Sequence, residues 1–156
     1  MKKKTVALIT SVAATMLLSI TANAEDNAAE GAYVAQVNSG EKYTSLQAAV
    51  GAAAANDTVK LLGDIHLNES VEVASDDDLT IDLNGYTITV DQTGGRSLYA
   101  INNYGDCTVD DTSEDEKGTI ISRGMMNYNL MTIEGGTIDS CDSNGGGASV
   151  WNEGVL

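Results

Sequence analysis

The sequence predicts an all-β fold, a parallel solenoid of about four coils preceded by a short helix. Three observations carry that expectation. A polar phrase returns along the chain, as "YAINNYGDCTVDD" (Tyr99 to Asp111), "RGMMNYNLMTIEG" (Arg123 to Gly135) and, shortened, "ASVWNEGVL" at residues 148–156. Polar and apolar residues alternate from Asp57 onward, in "DTVKLLGDIHL", "ESVEV", "DLTIDLNG" and "YTITV", as strands with one buried face require. Proline is absent while glycine reaches 16, which suits long ladders of paired strands, where a residue without an N–H has no place.

The elements follow in order. Residues 1–24, "MKKKTVALITSVAATMLLSITANA", set Lys2, Lys3 and Lys4 before an uncharged stretch and end on Ala22-Asn23-Ala24, the small-x-small pattern of a secretory signal peptide cleaved after Ala24. Residues 25–43 read as a flexible start followed by a short strand or hairpin, with "YVAQV" before an "NSG" turn. Residues 44–156 read as the solenoid itself. At its beginning, Thr44 with Gln47 forms a capping-box pattern, and Leu46, Ala49, Val50, Ala53 and Ala54 share one helical face, so residues 45–55 are expected as a short amphipathic helix.

Placing Ser75, Asn103, Asn127 and Asn152 in one column sets repeat steps of 28, 24 and 25 residues. Val73, Ile101, Met125 and Val150 then align two places earlier, and Leu79, Cys107, Met131 and Leu156 four places later. Ile81, Val109 and Ile133 align six places later. All three columns are apolar and expected inward, while Thr80, Thr108 and Thr132, then Asp82, Asp110 and Glu134, alternate with them outward. A third set places Ile88, Ile120 and Ile138 inward beneath Thr87, Thr119 and Thr137. Each repeat thus supplies three short strands, with equal positions about 4.8 Å apart on successive coils. The long insertions are residues 91–97, 112–118 and 140–148, and binding sites of repeat proteins lie where such loops cluster.

The whole chain carries a formal charge of −15; without the leader, five basic residues face 23 acidic ones, a balance of −18. Such a surface repels nucleic acid and anionic lipid and favours divalent cations or neutral ligands. Once the leader is cleaved, no membrane segment is expected. The two cysteines of this exported chain invite a disulfide, but Cys107 falls in an inward aliphatic column and Cys141 in a loop at a different corner, which argues against their pairing.

The succession "YTSLQAAVGAAAANDTVKLLGDIHL", "DLTIDLNGYTI", and then repeated N-x-G and "GGTI" phrases resembles the amino-terminal part of secreted right-handed parallel β-helix proteins of the pectin-lyase-like superfamily. The resemblance covers most of residues 43–156. It implies a right-handed parallel β-helix, a helix capping the first coil at residues 45–55, and inward Asn103, Asn127 and Asn152 bridging coils through their side-chain amides. For the lyases of that superfamily it implies clustered aspartates that hold Ca2+ and an Arg or Lys that takes a proton beside a sugar carboxylate; Arg96 and Arg123 are the only arginines here. Family members run through many more coils and end in a cap, whereas this chain finishes on "NEGVL" inside an expected strand. The chain is therefore read as an amino-terminal fragment, with another chain covering the open carboxy-terminal end as the alternative.

Two groups of side chains are candidates for a site. Tyr104 and Tyr128 occupy equivalent places after the asparagines and should stack; with Trp151 in the third copy they form an aromatic strip for a sugar ring, or simply a packing contact between repeats. Asp82, Asp110 and Glu134 make an oxygen-rich column of the kind that suits Ca2+, or one solvated acidic face. The acidic loop at residues 110–118 lacks the ordered ligand spacing of an EF-hand, and His66 has no nucleophile at an identifiable spacing. The expected function is that of a secreted or cell-surface, adhesin-like module binding a glycan or another surface polymer, with no required cofactor. The alternative is a polysaccharide lyase or hydrolase whose catalytic residues lie outside this stretch.

Overall fold

The computed structural model describes residues 32–91, 98–140 and 148–156; the expected leader, Arg96 and Cys141 lie outside the described residues. Strands β1 (Ala35–Val37) and β2 (Lys42–Tyr43) pair antiparallel, Ala35 opposite Tyr43. Asn38, in the turn at a φ of 49°, ties the hairpin to the chain that follows. Its Oδ1 accepts the Thr58 N–H at 2.9 Å and its Nδ2 donates to Asp57 Oδ1 at 2.7 Å.

Helix α1 (Leu46–Val50) spans five residues instead of the expected eleven. Its N-cap is Ser45, whose hydroxyl accepts the Ala48 N–H at 3.2 Å, and not Thr44. Gln47, expected to close a capping box, reaches to another segment: its Oε1 accepts the Glu72 N–H at 2.7 Å and its Nε2 donates to the Glu72 carbonyl at 3.1 Å. Alanine propensity does not extend the helix past Gly51, because Asp57 accepts the Ala54 N–H and Asn56 turns the chain at a φ of 66°. Leu46, Ala49 and Val50 supply its buried face.

Strands then recur in threes. They are β3 (Asp57–Leu61), β4 (Ile65–Leu67) and β5 (Val71–Val73); β6 (Asp78–Asp82), β7 (Thr87–Val90) and β8 (Ile101–Asn103); β9 (Asp106–Asp110), β10 (Thr119–Ser122) and β11 (Met125–Asn127); and β12 (Leu130–Ile133), β13 (Thr137–Ser140) and β14 (Val150–Asn152). They sort into three sheets, in the orders β12-β9-β6-β3-β1-β2, β13-β10-β7-β4 and β14-β11-β8-β5. The first sheet is mixed, since β1 lies antiparallel to both β2 and β3, and the other two are wholly parallel. Equivalent residues stand side by side: Leu79 with Cys107 and Met131, Ile81 with Val109 and Ile133, Ile88 with Ile120 and Ile138. Leu61, Ile81, Ile88, Ile101, Ile120, Met125 and Met131 are buried in the common core.

This arrangement corrects the expected right-handed parallel β-helix of about four coils. The described residues form three sheets, one of them mixed, with a five-residue helix, and no closed solenoid. The first sheet continues past β3 into an antiparallel hairpin where a further parallel strand would be needed. Two of the four links from the second sheet to the third, β7 to β8 and β13 to β14, pass through residues 92–97 and 141–147, which are outside the described residues.

One alignment and one burial also change. Ile101 stands opposite Val71, and Val73 opposite Asn103, so the first repeat is offset by two from the expected register. The turn at residues 74–77 absorbs the difference: Asp77 accepts the Ala74 N–H at 2.8 Å and donates its own N–H back to the Ala74 carbonyl at 3.1 Å. An even offset keeps every side chain on its expected face, and Val73 is fully buried. Ile133, expected inward, is 38% exposed because β12 is the outermost strand of its sheet.

Candidate ligand-binding face

The outward residues of the third sheet are fixed by its register. Glu72, Asn102, Met126 and Trp151 form one column across β5, β8, β11 and β14. Asn103 and Asn127, both buried, and Asn152, which is exposed contrary to the inward place expected for it, form the next, so the residues after them, Tyr104, Tyr128 and Glu153, emerge on the outer side. The asparagines set that geometry. Each Oδ1 accepts the N–H two residues on, from Gly105 at 3.1 Å, Asn129 at 3.3 Å and Gly154 at 3.3 Å, which turns the chain sharply. Asn103 Nδ2 donates to Asn127 Oδ1 at 2.8 Å and Asn127 Nδ2 to Asn152 Oδ1 at 2.7 Å, locking neighbouring turns together. Gly105 is required at its place, because a Cβ there would collide with the Ala74 carbonyl oxygen.

Tyr104 and Tyr128 are accordingly stacked, with ring centroids 4.9 Å apart and planes within 1° of parallel. That separation is close to the strand spacing of about 4.8 Å, so the sheet imposes the stack. Both rings remain about two-fifths exposed, at 41% and 40%. Desolvation first, and then the neighbouring Tyr104, Glu153 and Tyr99, push the Tyr128 phenol up, leaving it a neutral hydroxyl donor at physiological pH. Trp151 falls outside the tyrosine column, beside Met126, and its Nε1–H donates to Glu153 Oε1 at 3.2 Å. The structure therefore brings Tyr104, Tyr128 and Trp151 onto one exposed face, with Glu153 in the third tyrosine place.

The acidic column is rearranged. Asp82 is 1% exposed, contrary to the expected outward carboxylate. It accepts the N–H groups of Asn84 and Thr112 and the Thr112 hydroxyl at 2.7 Å, and pairs with Lys60 Nζ at 3.1 Å. Burial pulls its pKa upward, but the bonds from Thr112, Lys60 and Asn84 outweigh burial and hold it below the ordinary carboxylate range. Asp110 accepts the Asp111 N–H at 2.7 Å, and Glu134 is exposed. Among the described residues, no group of three or more His, Cys, Asp or Glu is placed to hold a metal ion. The neighbouring Asp111, which the sequence did not single out, is buried and accepts N–H bonds from Gly85 at 2.8 Å, Ser113 at 3.2 Å and Gly118 at 2.6 Å. It secures the insertion at residues 112–118 against the body of the protein.

Arg123 lies with its guanidinium carbon 4.9 Å from the centre of the Tyr99 ring. Cys107 is buried, and burial pushes its thiol up to about 12, which keeps it protonated and inert. The sequence also gave no sign of a cleft of about 610 Å3 lined by Gln47, Asn68, Glu69, Ser70, Glu72, Leu98 and Asn102. Its walls come from α1, the link between β4 and β5, and β8, segments that meet only in the fold. Glu72 and Asn102 belong both to the cleft and to the outer column that ends at Trp151.

No family model, curated protein or solved structure matches this chain. Nothing in these comparisons identifies the pectin-lyase-like superfamily, and the functional reading rests on geometry. The face carries a stacked aromatic pair with Trp151 at one end and amide and carboxylate groups at the other. No described helix is long and apolar enough to cross a membrane.

Proposed function

We propose that this protein is an exported, surface-associated module that binds a glycan along the outer face of its third sheet without turning the glycan over. The observation that carries the reading is the exposed, stacked Tyr104–Tyr128 pair on the same outer side as Trp151. Aromatic platforms of this kind hold the C–H faces of sugar rings, while Asn102, Glu72 and Glu153 accept hydrogen bonds from hydroxyls at the ring edges. An extended glycan advances by about one sugar for each strand crossed at a spacing of about 4.8 Å, so successive residues of the polymer would meet equivalent positions of successive strands. The formal charge of −15 favours a neutral polymer, or an acidic one bridged by Ca2+. Export rests on the leader pattern of residues 1–24.

The test is retention on immobilised neutral and acidic polysaccharides, with and without Ca2+, while absorbance is followed for unsaturated products. Retention without products, weakened roughly several-fold by Tyr104→Ala or Tyr128→Ala, is the expected outcome. Product formation that disappears on changing Arg123 would replace binding with a lyase activity.

A further inference from the structure

The cleft beside β5 is the part of this face that the tyrosine platform leaves unused. Its volume of about 610 Å3 lies within the range of about 300–1,000 Å3 usual for small-molecule sites. Gln47 braces its wall: the carboxamide accepts the Glu72 N–H at 2.7 Å and donates to the Glu72 carbonyl at 3.1 Å, so α1 holds β5 at the backbone and leaves the Glu72 carboxylate free. The other polar groups of the lining are equally uncommitted. Among the described residues, the side chains of Asn68, Glu69, Ser70 and Asn102 make no hydrogen bond or ion pair, and the lysines that pair with carboxylates do so elsewhere, Lys60 on Asp82 and Lys117 on Asp115.

Those groups define the chemistry of an occupant. A carboxylate only accepts hydrogen bonds, whereas amides and hydroxyls both donate and accept, so the lining suits a ligand that brings N–H donors to Glu69 and Glu72 and hydroxyls to Asn68, Ser70 and Asn102. Charge narrows the choice. Seating a ligand strips water from both carboxylates; a neutral ring would leave them less solvated and unpaired, an anionic one would add repulsion, and a cationic group offsets the loss. The formal charge of −15 on the chain attracts the same sign of ligand from a distance.

The place of the cleft in the sheet says what carries that cation. Glu72 and Asn102 stand opposite each other in register and belong both to the cleft and to the outer column that runs through Met126 to Trp151. Tyr104 follows β8, the strand next to β5, so a glycan lying on Tyr128 and Tyr104 and continuing across the strands meets the cleft next. We propose that the cleft is an amino-sugar subsite of this face. A ring with a free, protonated amine seats there with its ammonium against Glu69 and Glu72, its hydroxyls on Asn68, Ser70 and Asn102, and its C–H face against Leu98. The inference rests on the glycan reading above and adds to it the chemistry of one sugar and the end of the face at which that sugar lies.

Calorimetric titration of the full chain with three short oligomers joined as in cellulose, of glucosamine, N-acetylglucosamine and glucose, tests the proposal, because they share a backbone and differ in one ring substituent. Below the pKa of the amine, the glucosamine oligomer should bind about tenfold tighter than the other two. Glu69→Gln and Glu72→Gln should each remove most of that preference, whereas Glu134→Gln, which follows β12 in the first sheet, should leave it in place, with circular dichroism of each variant unchanged. Equal affinities for the three oligomers, or no binding of any, would overturn the proposal and leave the tyrosine platform to its own polysaccharide test. A preference that Glu134→Gln lowers as much as Glu69→Gln would overturn it too, since net charge would then account for the effect. Oligomer binding indifferent to Tyr104→Ala and Tyr128→Ala would instead remove the platform, and with it the argument that the amine belongs to a sugar.

Discussion

Asp82 shows how a single residue escapes a pattern. Its place between apolar neighbours marks it as polar and outward, yet it is buried among Lys60, Thr112 and Asn84. Lys60 stands opposite Asp82 in the sheet, but Thr112 arrives from an insertion, which no alternation describes. The consequence is a pH dependence of fixed sign. Burial raises the pKa values of Asp82 and Asp111, and hydrogen bonds from Thr112, Lys60 and Asn84 in the one case and from Ser113, Gly118 and Gly85 in the other outweigh it, so both end depressed. Below the unfolded value of about 3.9 the unfolded chain binds more protons than the folded one. Their stabilisation is therefore complete above that pH and is lost as the pH falls through the folded values. Urea midpoints measured between neutral pH and about pH 2 should decline chiefly below about pH 4, and Asp82→Asn should make the decline shallower. A decline unchanged by that substitution would remove Asp82 from the account.

At the scale of elements, strand positions were legible because their cause is local. Period-two alternation places Leu79, Ile81, Cys107 and Val109 on one face whatever the neighbouring repeat does, and all four are buried. The length of α1 was not legible, because Asp57 and Asn56 turn the chain against the alanine run. The offset of Val73 was hidden for a similar reason, since the turn at residues 74–77 depends on the Asp77 side chain. The asparagine column was legible as a repeat, and its energetics follow from the bonds. Asn127→Ala would delete donations to Asn152, Val155 and Asn129 and take from Asn103 one of its two acceptors, leaving the Val155 carbonyl only the Met131 N–H. A destabilisation of roughly 1–3 kcal/mol is expected from chemical denaturation. Asn152→Ala, at an exposed position, removes two bonds inside its own turn and a single ladder bond, the one its Oδ1 accepts from Asn127, and should cost less. Equal losses would mean that the ladder contributes no more than its turns.

For the molecule as a whole, closure depends on how separate segments meet, and alternation within a strand says nothing of it; the antiparallel pairing of β1 with β3, which makes the first sheet mixed, was accordingly outside the reach of the pattern. The same holds for the cleft and for the capping by Gln47. Sheet order nevertheless makes a global forecast. Strands β6 and β9, β7 and β10, and β8 and β11 have partners on both sides, whereas β12, β13 and β14 are outermost. Opening an outermost strand breaks one ladder and exposes little that is not already wet, as the exposure of Ile133 and Trp151 shows. Opening β9 breaks two ladders and uncovers Cys107 and Val109. Hydrogen exchange should therefore be slowest in β6, β9, β10 and β8 and fastest in β12, β13 and β14, a gradient running across the strand order and not along the sequence. Within the edge strand β5, the Glu72 amide should be an exception, protected by its bond to Gln47 Oε1, and Gln47→Ala should abolish that protection while leaving β9 unchanged. Uniform exchange across all strands would show that the sheets open together, and unaltered protection of Glu72 in the variant would show that the carboxamide is not what seals this edge.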